Sequence, residues 1–135
     1  MAMSKPAYAS TQSGALRPHG RVAVARYAAR AAAVLSRRLR GGSGLVIGGR
    51  VLLAAGPGTA SALSQGRRIT LVSGTNGKTT TTALTAAALD DGRAVGTNKD
   101  GANTSAGLAG TLATTDEQRL VLEVDEGWLP WAVAM

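Results

Sequence analysis

The stretch RITLVSGTNGKTTTT, residues 68–82, is the feature that most constrains the fold of this chain. It opens with apolar and β-branched residues, which predict a strand, and passes through a glycine loop into a helix predicted from Lys78. Gly74 and Gly77 leave the backbone free to turn N–H groups toward an anion, and Lys78 adds a positive charge at the start of the helix. A strand, a glycine loop and a helix in this order are typical of a phosphate-binding loop.

The loop departs from the common pattern G-x-x-x-x-G-K-[ST], because Val72 occupies the position of its first glycine. Thr79 follows the lysine, where the hydroxyl of such loops normally contacts Mg²⁺. The alternative interpretation is a threonine-rich helix start with an incidental Gly-Lys pair. Four consecutive threonines are poor helix formers, so helix propensity does not explain the run and we favour phosphate binding.

The residues after the loop alternate between helical and strand patterns. KTTTTALTAAALDD predicts a helix that ends at Gly92, RAVGTN a short strand, TSAGLAGTLATT a second helix, and QRLVLEVDE a third strand. Near-continuous apolar strands joined by helices predict an α/β fold, in which a partial P-loop-type parallel sheet has helical crossovers.

An acidic cluster ends the third predicted strand. Glu123 lies between Leu122 and Val124 within the strand, where a free carboxylate is costly without a cation. The carboxyl ends of parallel strands face the ligand crevice, so we predict that Glu123 binds Mg²⁺. Asp125 and Glu126 could share that role or form a solvated acidic loop. The segment GTNKDGANTSAGLAG, residues 96–110, is either functional or a capping loop with Asn103 or Thr104 as N-cap.

Charge divides the chain into two unlike segments. Residues 1–68 contain eleven Lys and Arg and no Asp or Glu, whereas residues 69–135 contain four Lys and Arg and eight acids. The basic segment raises the alternative of a nucleic-acid-binding module, although Tyr8 and Tyr27 are its only aromatic residues. The chain has no Cys, which excludes disulfides and thiolate metal sites within it, and its single His (His19) gives no basis for proposing histidine-based catalysis.

The basic segment begins with residues 1–20, which contain two prolines and no periodicity and predict a disordered leader. Residues 21–40 predict an amphipathic helix, which GGSG at 41–44 ends, and residues 45–63 predict weak strand or turn structure. One side of the helix carries arginines: Arg26, Arg30, Arg37 and Arg40. The opposite side carries mainly apolar residues: Val24, Tyr27, Ala31, Val34, Leu35 and Leu39. The helix either lies on an anionic membrane surface or packs on the following domain with a solvated arginine face.

No secretory signal is visible at the N-terminus, and no apolar run approaches the roughly 20 residues that cross a bilayer. The Arg-rich, acid-free start fits an organellar transit peptide only superficially.

The motifs GTNGKTTTT, TNKDGAN and LEVDE together resemble the central ATPase domain of the Mur ligase superfamily, most closely the MurT-type subunits of lipid II isoglutaminyl synthase. In that family the loop reads GTNGKT/S, so Val72 is no departure, whereas the related folylpolyglutamate synthases usually have GTNGKGS. The basic helix and the segment GGSGLVIGGRVLL are similar in kind to the start of MurT-type chains. The resemblance therefore covers roughly residues 21–131 and argues against a transit peptide.

The resemblance implies an ATP-dependent amide ligase of bacterial peptidoglycan synthesis. Such an enzyme would amidate the D-glutamate of the lipid II stem peptide through an acyl phosphate, using ammonia from a GatD-type glutaminase partner. It implies ATP and Mg²⁺ as cofactors, a cytoplasmic location that could be peripheral to the inner membrane face, and no specific nucleic acid. Another Mur or folylpolyglutamate-type ligase, or an inactive interaction fragment, remains an alternative.

The resemblance also implies roles for individual residues. Mg²⁺ would be held by Thr79 and Glu123, and Asn98, Asn103 and Asp125 would line the crevice. The residues that would bind the phosphates of ATP form one continuous loop: Gly74, Thr75, Asn76, Gly77, Lys78, Thr79 and Thr80. No catalytic residue is implied within this chain.

The chain departs from the family in its length. It stops a few residues after the acidic strand, so we expect a leader (1–20), a basic segment (21–68) and a truncated first half of an ATP-binding domain (69–135) that is inactive alone. We interpret Trp128 and Trp131 as core residues whose covering elements are missing or, alternatively, as a recognition surface.

Overall fold

The computed structural model describes residues 20–40, 42–98 and 102–135, with the side chain of Arg40 left out. The predicted leader therefore lies almost entirely outside the described residues. Three helices come first, and an alternation of strands and helices follows. The elements are α1 (Gly20–Arg40), α2 (Leu45–Ala54), α3 (Thr59–Ser64), β1 (Arg68–Val72), α4 (Lys78–Leu89), β2 (Val95–Thr97), α5 (Ser105–Thr114), β3 (Arg119–Glu123) and α6 (Leu129–Ala134), with a 3₁₀ turn at Glu126–Trp128 before α6.

The three strands form one parallel sheet in the order β1-β3-β2. Val72 pairs with Glu123 and Thr97 with Val121, so the strands end together at one edge of the sheet. The central strand β3 is buried from Leu120 onward because both of its faces are covered. This architecture confirms the predicted α/β class and parallel sheet.

Helices cover both faces of the sheet. Leu108 and Leu112 of α5 share one buried apolar cluster with Leu120 and Leu122 of β3. On the opposite face α4 contacts all three strands, and Glu123 of β3 points toward it. Helices α1, α2 and α3 pack on the outer side of α5, so the basic segment and the α/β segment share one core.

The segment predicted as weak strand or turn, residues 45–63, is mostly helical, and that prediction was wrong. The reason lies in a close crossing between α2 and α5. A Cβ added to Gly49 would overlap the carbonyl oxygen of Ala106, and one added to Gly110 would overlap the carbonyl oxygen of Leu45. Glycines that lower helix propensity by about 1 kcal/mol each are therefore the residues that let the two helices approach.

Helix α1 confirms the predicted helix, but its arginine side is not the solvated face that one interpretation required. Its inward residues are Ala25, Ala29 and Ala33, which lie buried against the neighbouring helices. The Nε atoms of Arg26 and Arg30 donate to the carbonyl oxygen of Ala113, at 3.1 and 2.7 Å. The last carbonyls of a helix have no partners within it and carry partial negative charge, so they attract these guanidinium groups.

Asp116 and Arg67 complete this contact at the C-terminus of α5. Both α1 guanidinium groups donate to the Asp116 carboxylate, and Arg67 donates to the carbonyl oxygens of Leu112 and Thr115. Burial, together with the neighbouring charge of Arg26, lowers the pKa of Arg67. Three of the cations that make the first segment basic are thus engaged inside the fold.

The two tryptophans differ in their surroundings. Trp131 of α6 packs against the apolar cluster beside buried Ala132, whereas Trp128 is 42% exposed. Trp131 thus behaves as the core residue that was predicted, and Trp128 lies at the surface. Among the residues that the structure describes, no helix has the length and apolar character needed to cross a membrane.

Candidate phosphate and metal site

The loop between β1 and α4 has the backbone geometry of an anion-binding turn. Gly77 is the N-cap of α4 and has φ of 77°, a left-handed conformation that favours glycine. The first hydrogen bond inside the helix runs from Thr81 N to Gly77 O, at 2.9 Å. The N–H groups before Thr81 therefore have no partner within the helix, and they carry the positive end of its dipole. Such a helix start is suited to holding phosphate oxygens.

Lys78 folds back over the loop. Its Nζ donates to Gly74 O at 2.9 Å and lies 3.4 Å from Asp125 Oδ1. Its side chain is only 15% exposed, whereas that of Asp125 is 41% exposed. The lysine charge is therefore held between the loop backbone and a carboxylate that follows β3.

Thr79 and Glu123 meet at the carboxyl end of the sheet. Thr79 Oγ1 donates to Glu123 Oε2 at 2.9 Å, and Glu123 is only 8% exposed. A hydroxyl and a carboxylate are hard oxygen ligands of the kind that Mg²⁺ takes, usually with waters and substrate phosphates completing its octahedron. The described residues contain no cluster of three His, Cys, Asp or Glu side chains. The hydroxyl of Thr79 and the carboxylate of Glu123 fit two of the ligand positions of a magnesium ion.

Asn98 holds Glu123 through the backbone. Its Nδ2 donates to Glu123 O at 2.7 Å and to Ala102 O at 2.8 Å, and its Oδ1 accepts from Glu123 N at 2.7 Å. The residue is 4% exposed. Both amide hydrogens of Asn98 are thus engaged with main-chain carbonyls, and the side chain fixes the strand end that presents Glu123.

Asn103 contacts Asp125 and is not the cap of α5. Asn103 Nδ2 donates to Asp125 Oδ1 at 2.9 Å, and Asp125 N donates to Asn103 O at 3.1 Å. The N-cap is Thr104, whose hydroxyl accepts from Gly107 N. Asn103, Asp125 and Lys78 therefore form a continuous polar chain beside the loop. Glu126 begins the following 3₁₀ turn and is exposed.

A cavity of about 350 Å³ lies between α4 and the strands β2 and β3. Thr79, Asn98 and Glu123 line it, and so does Thr82, whose buried Oγ1 has no hydrogen-bond partner among the residues that the structure describes. The sequence predictions did not include Thr82. Thr79 and Thr82 are three residues apart, so the helix brings both to the same side of α4.

The structure brings the predicted residues together unequally. Lys78, Thr79, Glu123 and Asp125 converge at the loop. The predicted loop residues Thr75, Asn76 and Thr80 are exposed. Ser73 was missed by the sequence predictions, and its hydroxyl donates to Val124 O at 2.9 Å. A polar residue directly after a predicted strand was the available signal for it.

A comparison with curated proteins finds one informative similarity. Over 103 residues the chain is 40% identical to the MurT subunit of the glutamine-hydrolysing lipid II isoglutaminyl synthase from Streptococcus pneumoniae. The alignment covers 71% of this chain but 22% of that protein, so the chain spans about a fifth of its length. No protein-family profile matches the chain, and no solved structure matches it significantly. The similarity supports a relationship with MurT.

Proposed function

We propose that this chain carries the ATP- and Mg²⁺-binding part of an ATP-dependent amide ligase that acts in bacterial peptidoglycan synthesis, as the name of its MurT relative suggests. The contact between Thr79 and Glu123 beside the glycine loop is the observation that carries the proposal. A buried carboxylate joined to the hydroxyl that follows a loop lysine has the chemistry of a magnesium and phosphate site.

Each residue of the site has a proposed role. The backbone of Gly74 to Gly77 and the first N–H groups of α4 bind phosphate oxygens, and Lys78 leaves Asp125 to contact the outer phosphates. Thr79 and Glu123 hold Mg²⁺, which neutralises the charge that builds up during phosphoryl transfer. Asn98 keeps Glu123 in place. Asn103 and Asp125 line the same crevice.

The proposed reaction has two steps. A carboxylate oxygen of the D-glutamate in the lipid II stem peptide attacks the γ-phosphorus of ATP, ADP leaves, and an acyl phosphate forms. Ammonia, supplied by a GatD-type glutaminase, then attacks the acyl carbon; phosphate leaves and the nitrogen loses a proton to give the amide. We place this chemistry in the cytoplasm at the inner membrane face and assign the described residues only ATP and Mg²⁺ binding, because the chain spans a fifth of MurT.

The alternative functions differ in what supports them. Another Mur-type or folylpolyglutamate-type ligase would use the same loop and carboxylate, and only the MurT similarity favours the isoglutaminyl reaction. A nucleic-acid-binding role loses support because Arg26, Arg30 and Arg67 contact the end of α5.

Calorimetric titration of the intact chain with ATP, with and without Mg²⁺, tests the proposal. Lys78→Ala and Thr79→Ala should each weaken Mg²⁺-dependent ATP binding by at least about tenfold, which is about 1.4 kcal/mol. Thr81→Ala is the matched control, because Thr81 lies in the same threonine run and is exposed. Equal affinity in Lys78→Ala and in the unsubstituted chain would refute the phosphate-loop assignment.

A further inference from the structure

Helix α1 presents its large apolar side chains to solvent. We call this surface the apolar stripe, and it consists of Val24, Tyr27, Val34, Leu35 and Leu39. Tyr27 and Leu39 are 72% and 74% exposed, so the stripe does not belong to the core. Its spacing places all five side chains on one face along the whole helix. Soluble domains seldom leave such a row uncovered without a partner for it.

The packing of α1 explains why the stripe faces outward. The helix turns Ala25, Ala29 and Ala33 toward its neighbours, and its contacts are with α2, α5 and α3. Arg26 and Arg30 anchor the adjoining side on the end of α5. The side opposite these contacts is the stripe, and among the described residues nothing covers it.

The charges beside the stripe specify its partner. At 100° per residue Arg21 falls at one margin of the stripe, beside Leu39, and Arg38 falls within the stripe, between Tyr27 and Leu35. Both arginines are exposed. No acid occurs in α1 or anywhere in residues 1–68. A matching surface must therefore be apolar and must also carry negative charge. It must also accept a convex rod of 21 residues, about 30 Å long.

We propose that α1 lies in the interface of an anionic lipid bilayer. The apolar stripe enters the boundary between headgroups and acyl chains, and Arg21 and Arg38 contact lipid phosphates. Tyr27, which is apolar along its ring and polar at its hydroxyl, suits this depth. A bilayer satisfies all three requirements at once, because it is flat, apolar beneath its surface and negative at its surface. The inference rests on α1 alone and does not depend on the nucleotide site.

Sedimentation of the intact chain with large unilamellar vesicles tests the inference. The vesicles are either pure phosphatidylcholine or phosphatidylcholine with phosphatidylglycerol, which is anionic. We expect binding to the anionic vesicles, weakening as salt rises, and little binding to the neutral ones. The double substitution Leu35→Asp with Leu39→Asp should reduce the partition coefficient by at least about tenfold, because it removes two apolar anchors and adds two negative charges.

The matched control is Leu84→Asp with Val133→Asp, since Leu84 and Val133 are 67% and 72% exposed but lie on α4 and α6. This variant should bind vesicles more strongly than the stripe variant. Circular dichroism tests whether each variant is folded. If the Leu35→Asp with Leu39→Asp variant unfolds, the single substitution Leu39→Asp, near the end of α1, is used in its place.

Several results would overturn the inference. The first is an equal loss of vesicle binding in the stripe variant and the control variant. The others are equal binding of the unsubstituted chain to both kinds of vesicle, or no binding of it to anionic vesicles. A stripe variant that turns a dimer into a monomer without changing vesicle binding would assign the stripe to a second copy of the chain. If the unsubstituted chain binds anionic vesicles but does not bind ATP, the proposed function is refuted and this inference stands.

Discussion

Thr79 Oγ1 donates a 2.9 Å hydrogen bond to Glu123 Oε2, across 44 positions of sequence. The bond joins the first turn of α4 to the end of β3, where β1 and β3 run in register. It brings together a hydroxyl from the glycine loop and a carboxylate that is 8% exposed. The two oxygens therefore lie as close together as the proposed magnesium site requires.

Glu123→Gln should abolish the Mg²⁺-dependent part of ATP binding while leaving the fold intact. The amide keeps the size of the side chain and still accepts from Thr79, but it carries no charge to attract the cation. We expect the factor by which Mg²⁺ increases ATP affinity to be at least about tenfold smaller than in the unsubstituted chain. Titration calorimetry with and without Mg²⁺ measures this, and Glu126→Gln, at an exposed acid nearby, is the control. An unchanged response to Mg²⁺ would remove Glu123 from the metal site.

Asp125→Asn should strengthen ATP binding by a few-fold. Asp125 holds Lys78 Nζ at 3.4 Å and places a negative charge beside the loop, so it competes with phosphate for the lysine. The pair is partly exposed, and we expect a gain below about 1 kcal/mol that shrinks at high salt. Asparagine keeps an oxygen that can accept from Asn103. Weaker ATP binding in this variant would mean that Asp125 assists the ligand instead of competing with it.

Asn98→Ala should destabilise the fold more than any change in the exposed loop. It leaves the backbone N–H and C=O of Glu123 and the carbonyl of Ala102 without their side-chain partner in a buried region. We expect a loss of about 2–4 kcal/mol in the free energy of unfolding, measured with urea. Asn76→Ala, at an exposed asparagine of the loop, should cost little. Equal stability of the two variants would contradict the structural role of Asn98.

Asp116 should make the stability of the fold depend on acid pH. The hydrogen bond from Arg30 and the charges of Arg30 and Arg26 hold the pKa of Asp116 below its ordinary value of 3.8. Because the folded state has the lower pKa, the stabilisation is fully present above the unfolded value and disappears as pH falls through the folded value.

Asp116→Asn therefore should reduce the free energy of unfolding at pH 7 by less than about 1 kcal/mol, because the carboxylate is largely exposed. The difference from the unsubstituted chain should shrink as pH falls below 3.8 and vanish once pH lies below the folded-state pKa of Asp116. Urea unfolding at pH 7 and at a series of acid pH values measures it, with Glu126→Gln as the control. A difference that persists in acid would assign the effect to packing instead of charge.

The fold from β1 to β3 could be predicted from residue patterns alone. Apolar runs ending at glycines or acids, separated by stretches of helical composition, are local signals, and they placed all three strands and both crossover helices. The prediction of a phosphate and metal site at the loop and Glu123 came from the same kind of local signal, because it depends on residues that are adjacent in sequence.

Other features depended on contacts that local patterns do not contain. The glycines of α2 favoured a prediction of turn structure. Gly49 is instead required because α5 crosses α2 there and leaves no room for a Cβ atom. Asn98 was predicted as a crevice residue and lines the cavity, but no local pattern indicated that its amide is bonded to the backbone of Glu123, 25 positions away. Thr82 gave no distinct signal within its threonine run, and the only signal for Ser73 was its place directly after a predicted strand.

The sequence by itself determined the α/β class, the glycine loop between a strand and a helix, and the two-sided character of α1. Each of these depends on residue type and spacing within one segment. Only the tertiary structure decided that Thr79 meets Glu123, that Asn98 supports it, and that α1 turns its alanines inward and its leucines outward. The physical reason is that α5 offers α1 a close-packed surface and unpaired carbonyls at its end. Small side chains and arginines satisfy that surface better than bulky apolar residues do.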